Sequence, residues 1–199
     1  NVGNATTVGS AIFSSATATD VAAFTVTGGD AITEDSLIVF QKGLTATTVT
    51  LNDNAGDASI SFSAENAAGA VAGTIDGAAS GEGTVNVYDA DAGAPHLITF
   101  SGVIGGTQRL KAINIGTAAL AGAADFDENV TVATLTLLGG NVTAEDTALT
   151  NAAAKTIDAT TVNVTGGVGA NVGNQGGDAL ATISGTLTVG TGGLNITGG

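Results

Sequence analysis

The stretch ATTVNVTGG, residues 159–167, alternates small, apolar and polar residues and then stops at two glycines. Similar phrases recur along the chain: AAFTVTGG ends at residue 29, ATLTLLGG at 140, GTLTVGTGG at 193 and GLNITGG at 199. The alternation predicts a short β-strand with Val162 and Val164 on its buried face and the polar residues between them exposed. Repetition of one phrase predicts that such strands stack as repeats.

Strand-like stretches follow one another at a nearly constant interval. Their central apolar residues lie 11 to 13 positions apart: Val26, Val39, Leu51, Phe62, Ile75, Val87, Phe100, Ile113, Phe126, Leu137, Leu149 and Val162. Strands at this spacing, separated by Gly, Asn and Asp turns, indicate an all-β protein. The favoured fold is a parallel β-solenoid of about 25-residue coils. The alternative is an antiparallel β-sandwich of immunoglobulin-like or jelly-roll topology.

Composition favours the solenoid. The chain is 43% hydrophobic but only 4% aromatic, and a thin stacked core suits such small side chains. It has a single Pro, whereas a sandwich rich in loops usually carries several. The sandwich gains support from the less repetitive first half. We therefore predict a less regular N-terminal β region, residues 1–105, and a solenoid-like repeat region, residues 106–199, with one continuous domain as the alternative.

Helix signals are weak. Residues 118–130 and 144–155 have helical composition, and Thr143 with Asp146 forms a candidate capping pair. We interpret both stretches as Ala-rich turns of the solenoid, with a short helix over 144–155 as the alternative.

The charge balance excludes several function classes. The formal net charge is −14, from 18 acidic residues and four basic ones: Lys42, Arg109, Lys111 and Lys155. Nucleic-acid binding needs clustered Lys and Arg, so it is not expected, and docking on anionic lipid is disfavoured for the same reason. The absence of Cys removes disulfides, thiolate metal sites and cysteine nucleophiles. No apolar run reaches the length of a membrane span.

Three acidic turns are candidate calcium sites. They supply Asp53 and Asp57 in NDNAGD, Asp89 and Asp91 in YDADAG, and Asp125 and Asp127, followed by Glu128, in DFDEN. Calcium takes six to eight oxygen ligands, which flexible Asp, Asn and Gly turns can provide. None of the turns has the EF-hand spacing. Ordinary solvated turns are the alternative interpretation, and no other cofactor is expected.

A fourth stretch, residues 166–180, is similar to the calcium-binding nonapeptide G-G-x-G-x-D. Asn171 stands where that pattern requires Asp, and no second copy follows.

Catalytic patterns are missing. The single histidine, His96, follows Pro95 without a G-x-S-x-G motif, so we interpret it as a surface-turn residue at a strand entry. Solenoid enzymes that cleave polysaccharides use carboxylates, but the chain has no Trp and only one Tyr as a sugar platform. The chain is therefore not expected to be an enzyme. Five Asn-x-Thr sequons are present, where about three would arise by chance in a chain so rich in Thr, so they signal glycosylation only weakly. They are Asn4, Asn129, Asn141, Asn163 and Asn195.

Residues 97–147 carry a resemblance. The order ITFSGVIGG, AINIG and NVTVATLTLLGG resembles the passenger regions of rickettsial-type outer-membrane surface antigens and related autotransporters. The resemblance covers about a quarter of the chain, and residues 155–199 more loosely. It implies a β-solenoid on the bacterial cell surface, in some members a crystalline surface layer. It carries over no catalytic residue.

These observations predict a structural protein of the bacterial cell exterior. We expect a surface-layer or extracellular filament subunit that self-associates, with its own copies as partners and calcium as a candidate stabiliser. Edge strands support this, and residues 1–20 are a candidate strand for addition to a neighbouring copy. The alternative is an adhesin passenger that binds a host or matrix receptor. Because the chain starts at Asn1 without Met, it is expected to be processed or part of a longer protein.

Overall fold

The computed structural model of the chain describes residues 9–14, 17–63, 68–90, 95–140, 146–166 and 177–197. Every regular element within these ranges is a β-strand. The strands are β1 (Ser10–Phe13), β2 (Thr19–Asp20), β3 (Ala23–Thr27), β4 (Ser36–Phe40), β5 (Leu44–Asn52), β6 (Ala58–Phe62), β7 (Gly69–Gly77), β8 (Glu82–Val87), β9 (Leu97–Phe100), β10 (Leu110–Ile115), β11 (Ala123–Phe126), β12 (Val130–Leu138), β13 (Thr147–Asn151), β14 (Thr156–Thr165), β15 (Ala179–Ile183) and β16 (Thr186–Thr197).

The strands form two parallel sheets that are wound by one continuous chain. The first sheet has the order β1-β4-β6-β8-β10-β12-β14-β16, and the second has the order β15-β13-β11-β9-β7-β5-β2, with β3 also paired to β5. Successive turns lie about 27 residues apart, and there are about six of them. The prediction of a parallel β-solenoid is confirmed, and the antiparallel sandwich is wrong because the described strand pairs are parallel.

Both sheets continue across the boundary that was predicted near residue 105. Strand β8 pairs with β10, and Ile104 bridges to Ile75 and to Val130. The Ala-rich stretches contribute strands: β11 falls within residues 118–130, and β13 within residues 144–155. Residues 144 and 145 lie outside the described part of the chain.

The core lies between the two sheets and is built by alternation. In β12, Val132, Leu135 and Leu137 are buried, whereas Thr134 and Thr136 on the other face are half-buried. All twelve central residues that the sequence marks, from Val26 to Val162, are buried. The period-2 pattern therefore identified the inward face in most strands. Strand β4 is the exception, because Val39 is in register with Ser61 on the outer face, while Ile38 and Phe40 face the core.

All six phenylalanines are joined in one continuous contact series. Ring centroids are 5.0 Å apart for Phe13 and Phe40, 5.9 Å for Phe40 and Phe62, 5.4 Å for Phe62 and Phe100, and 5.3 Å for Phe100 and Phe126, while Phe24 lies 6.0 Å from Phe40. We call this series the phenylalanine stack. Few aromatics suffice because they form one series through consecutive coils, where each ring packs on a ring of a neighbouring coil.

Candidate functional site

The first acidic turn connects β5 to β6 and is closed by its own hydrogen bonds. Asp53 Oδ1 accepts the backbone N–H of Ala58 at 2.7 Å, and Asp35 Oδ1 accepts the backbone N–H of Asp57 at 2.9 Å. The two carboxylates predicted to bind calcium, Asp53 and Asp57, therefore lie in the same turn. A third carboxylate, that of Asp35, lies beside them.

An internal cation already contacts this turn. Lys111 of β10 donates from Nζ to Asp57 Oδ1 at 2.6 Å, and the same nitrogen lies 3.8 Å from Asp53 Oδ2. The hydrogen bond to Asp57 is the main cause of a raised pKa of Lys111, and the negative charges of Asp57, Asp53 and Asp35 act in the same direction against burial. The ammonium group therefore offsets the charge that a bound cation would otherwise balance.

The second acidic turn follows β8 and holds a buried carboxylate. The Asp89 side chain is 1% exposed, and its Oδ2 accepts the backbone N–H of His96 at 2.6 Å and contacts His96 Nδ1 at 2.7 Å. Asp89 thus joins the two ends of the loop that leads to β9. Asp91 lies outside the described residues. The imidazole of His96 is 36% exposed, which agrees with its predicted place in a turn at a strand entry.

The third acidic turn splits its carboxylates between different partners. Asp125 Oδ1 accepts a hydrogen bond from Thr150 Oγ1 of the next coil at 2.6 Å. Glu128 Oε2 contacts Lys155 Nζ at 2.7 Å. Asp127 is exposed, and its backbone N–H donates to the Phe100 carbonyl at 2.9 Å.

The acidic turns do not combine into a metal-binding cluster in the described part of the chain. Within the described ranges, no three His, Asp or Glu side chains lie close enough together to hold a metal ion. Calcium at Asp53, Asp57, Asp89, Asp125 or Asp127 therefore stays a prediction. Of residues 166–180, most of the calcium-like stretch lies outside the described part of the chain.

Three of the four basic residues join separate coils. In addition to the pairs of Lys111 and Lys155, Arg109 Nη2 lies 2.9 Å from Asp158 Oδ2, and its Nη1 donates to the Val132 carbonyl at 2.9 Å. The members of each pair are far apart along the chain, so no local sequence motif indicates that they interact. All three side chains bridge different coils.

Five of the seven exposed large hydrophobic side chains among the described residues lie on the first and last strands of the solenoid. At the C-terminal end, β16 and β15 are the last strands of their sheets. Leu180, Leu194 and Ile196 are 58%, 50% and 74% exposed. A groove of about 310 Å³ opens there, lined by Val164, Leu180 and Ile196 together with Asp146, Gly166, Asp178, Ala179 and Thr197. We call it the C-terminal groove.

The N-terminal end also exposes apolar side chains. Ile12 and Phe13 of β1 are 66% and 38% exposed, although Phe13 stacks on Phe40 beneath it. Strand β1 pairs with β4 of its own chain. The first eight residues of the stretch predicted to add to a neighbour lie outside the described residues.

The sequons occupy different positions in the coils. Asn129 Oδ1 accepts the backbone N–H of Thr156 at 2.9 Å, whereas Asn163 and Asn195 lie on the outer face of the first sheet. Asn4 and Asn141 lie outside the described ranges.

In the described part of the chain, no helix has the length and apolar character to cross a membrane. Comparison with protein-family models, curated proteins and solved structures finds no match for this chain.

Proposed function

We propose that this chain is a structural subunit of the bacterial cell exterior, in a surface layer or an extracellular filament. Copies would join when the N-terminal coil of one stacks on the C-terminal coil of the next. The observation that carries the proposal is the C-terminal groove, where the core columns reach the surface. The location rests on the acidic, cysteine-free composition and on the resemblance of residues 97–147 to surface-antigen passengers.

The last strand of the first sheet supports this assembly mode. Leu194 is in register with the buried Val162, and Ile196 with Val164, so both side chains belong to inward-facing columns. They stay exposed because no described strand follows β16 in the sheet. An edge strand with free backbone groups and inward apolar residues is a template for a further parallel strand.

The N-terminal coil offers a matching surface. Phe13 is in register with the buried Phe40, and Ala11 with the buried Ile38, so β1 also presents inward-facing apolar side chains at its open edge. Stacking β1 of one copy on β16 of another would continue the first sheet. Such a head-to-tail contact does not close on itself, so it produces a filament.

The charge of the chain sets the conditions for assembly. Copies with a formal net charge of −14 repel one another, and dissolved salt screens that repulsion. Assembly should therefore strengthen as salt or calcium is added. Calcium would act by neutralising carboxylates, including Asp146 and Asp178 beside the groove.

Analytical ultracentrifugation of the purified 199-residue chain, with and without calcium, tests the proposal. The expected result is a series of species that grows with protein concentration and is promoted by salt. Leu194→Lys should weaken association by about tenfold or more, because it places a charge within the contact. Leu97→Lys is the matched control, since Leu97 is an exposed leucine on β9, away from both ends.

Two results would overturn the proposal. One is a chain that stays monomeric at high concentration in calcium and salt. The other is equal loss of association in Leu97→Lys and Leu194→Lys, which would show that the ends are not the contact.

A further inference from the structure

Two columns of inward-facing side chains cross the first sheet from one end of the solenoid to the other. Each column takes one residue from each of the eight strands of that sheet. The first column consists of Ala11, Ile38, Ile60, Val85, Ile113, Leu135, Val162 and Leu194. The second column lies two residues further along every strand, from Phe13 to Ile196. Both columns keep their register on all eight strands, so their ends lie on β1 and β16.

A third column passes through the first half of β16 and also reaches the other end of the solenoid. It consists of Phe24, Val49, Ile75, Ile104, Val130, Ile157 and Leu187. Its two terminal residues, Phe24 and Leu187, are partly buried and pack against the core. The strands β1, β3 and β16 therefore present the ends of three apolar columns.

The backbone of β1 leaves alternate residues free on its open edge. The carbonyls of Gly9 and Phe13 accept hydrogen bonds from N–H groups in residues 37–41. In a parallel ladder, the N–H and C=O of one residue point to the same neighbouring strand, and those of the next residue point to the opposite side. Ser10 and Ile12 therefore direct their backbone groups away from β4.

The open edge of β16 has the complementary arrangement. The Thr197 carbonyl accepts the N–H of Gly166 at 3.0 Å, on the side of β14. By the same alternation, Leu194 and Ile196 direct their backbone groups away from β14. The free groups thus belong to inward-facing residues on β16 and to outward-facing residues on β1. Neighbouring strands within the first sheet pair in this same phase.

We propose that two copies join in a single register, in which Leu194 of one copy lies beside Ala11 of the next copy and Ile196 beside Phe13. This inference rests on the proposed end-to-end assembly and specifies the alignment of its contact. In this register the Leu194 carbonyl accepts the N–H of Ile12, and the Ile196 N–H donates to the Ile12 carbonyl. The hydrogen-bond ladder and both apolar columns then continue from one copy into the next.

Other registers satisfy fewer of these conditions. A shift of one residue turns the apolar side chains of one edge strand toward solvent. A shift of two residues keeps the inward faces together, but it pairs only one of the two apolar residues on each edge strand. Leu187 and Phe24 of the next copy also meet only when the third column continues without a shift.

Disulfide cross-linking tests the register, and the chain has no native Cys that would interfere. In the proposed register, the outward-facing Asn195 lies about 4.8 Å from Ile12 of the next copy. Asn195→Cys is mixed with an equal amount of Ile12→Cys in the salt and calcium that promote assembly, and a mild oxidant is added. Two Cα atoms at this distance are within reach of a disulfide, so the mixture should form cross-linked dimers.

The matched control is a mixture of Asn195→Cys with Ser10→Cys. Ser10 also lies on the outer face of β1 but two residues earlier, so its Cα would lie about 8 Å from that of Asn195, beyond the reach of a disulfide. This mixture should yield about a tenth of the cross-linked dimer. The register is overturned if Ser10→Cys cross-links as well as Ile12→Cys.

Sedimentation of the same samples separates failure of the register from failure of self-association. Assembly without cross-linking of the Ile12→Cys mixture overturns the register but leaves the proposed self-association standing. Absence of assembly in the native chain overturns both.

Electron microscopy of filaments of the native chain gives a second measurement, which needs no substitution. If every contact continues the first sheet, its eight strands advance each copy by about 38 Å along the filament. An axial repeat of about 38 Å is therefore expected. A repeat of twice that length would show that like ends meet, and it would overturn the register.

Discussion

Asp89 is a nearly inaccessible carboxylate whose hydrogen bonds hold a loop in place. Its Oδ2 accepts the backbone N–H of His96 and contacts the imidazole, while its own backbone N–H donates to the Ala121 carbonyl. A buried carboxylate is tolerated only when it is hydrogen-bonded, and these contacts join the end of β8, the start of β9 and the following coil. Its role is therefore structural in the first place.

Replacement of this carboxylate should destabilise the protein. Asp89→Ala leaves the backbone N–H of His96 without its acceptor, and the expected loss is about 1–3 kcal/mol in the free energy of unfolding. Urea unfolding followed by circular dichroism measures the loss. Asp127→Ala, at an exposed aspartate, is the control and should change the free energy of unfolding little. Equal losses in the two variants would contradict this role for Asp89.

Lys111 should make stability depend on pH in the alkaline range. Asp57 and its neighbours raise the pKa of Lys111 above its ordinary value of 10.5, so the folded state holds this proton more tightly than the unfolded state. The resulting stabilisation is fully present below pH 10.5 and is lost as pH rises through the higher pKa of the folded state.

Lys111→Met should remove this pH dependence. Because the side chain is 44% exposed, the loss at neutral pH should be small, about 0.2–1 kcal/mol. Urea unfolding between pH 8 and about pH 12 gives the comparison. Lys42→Met removes the same charge elsewhere and should leave the alkaline fall in stability intact. A fall of the same size in Lys111→Met would contradict the assignment.

At the scale of single strands, β7 shows how closely neighbouring coils approach. Gly73 has a φ of 109°, and a Cβ placed there would lie 1.5 Å from the Ala46 carbonyl oxygen of the preceding coil. Gly81 also has a positive φ, of 89°, but a Cβ there would meet nothing within 4 Å. Both glycines therefore adopt a positive φ, and they differ in the space that a Cβ atom would have.

Alanine substitutions at these two positions should distinguish the free-energy cost of backbone strain from the cost of the contact between coils. Gly81→Ala should cost about 1–2 kcal/mol, the strain of a positive φ in an L-residue. Gly73→Ala should cost clearly more, because β5 and β7 must also move apart. Thermal unfolding of both variants measures the difference. Equal melting temperatures would show that the coils have room to adjust.

The element scale also shows what the sequence could and could not reveal. Alternation along single strands predicted the buried residues, because one face of each strand contacts the core. Residues 144–155 have the composition of a helix, but the structure has strand β13 within this stretch, with Thr147 and Leu149 buried. Burial against the core therefore outweighed the helical composition. The Lys111–Asp57 pair spans 54 residues, and only the three-dimensional stacking of coils brings its members together.

Across the whole molecule, packing changes from one end of the solenoid to the other. The phenylalanine stack runs from Phe13 to Phe126, and beyond it the core consists of aliphatic residues such as Leu149, Ile157 and Val162. Strands β15 and β16 contain no buried residue, and neither do β1 and β2 at the other end. In a stacked protein, each coil is stabilised mainly by its neighbours, so the two terminal coils should be less stable than the middle ones.

Hydrogen exchange should report this gradient. Backbone amides of the terminal strands β1, β2, β15 and β16 should exchange fastest among the described strands. Those of β8 and β10 should exchange slowest, because both lie in the middle of the first sheet. Mass spectrometry of peptides from the labelled protein measures the rates. Uniform protection along the chain would contradict the gradient. Under assembling conditions, protection should rise selectively in β16.

The uneven packing has a mechanical consequence. A force applied to the C-terminal end would act first on the last coil. Because this coil lacks aromatic contacts, it would unfold before the coils that hold the phenylalanine stack. Each coil of about 27 residues would release about 90 Å of chain as it opens. Under tension the molecule would therefore behave as a stiff rod with an extensible tip, lengthening in steps while the segment with the phenylalanine stack stays folded.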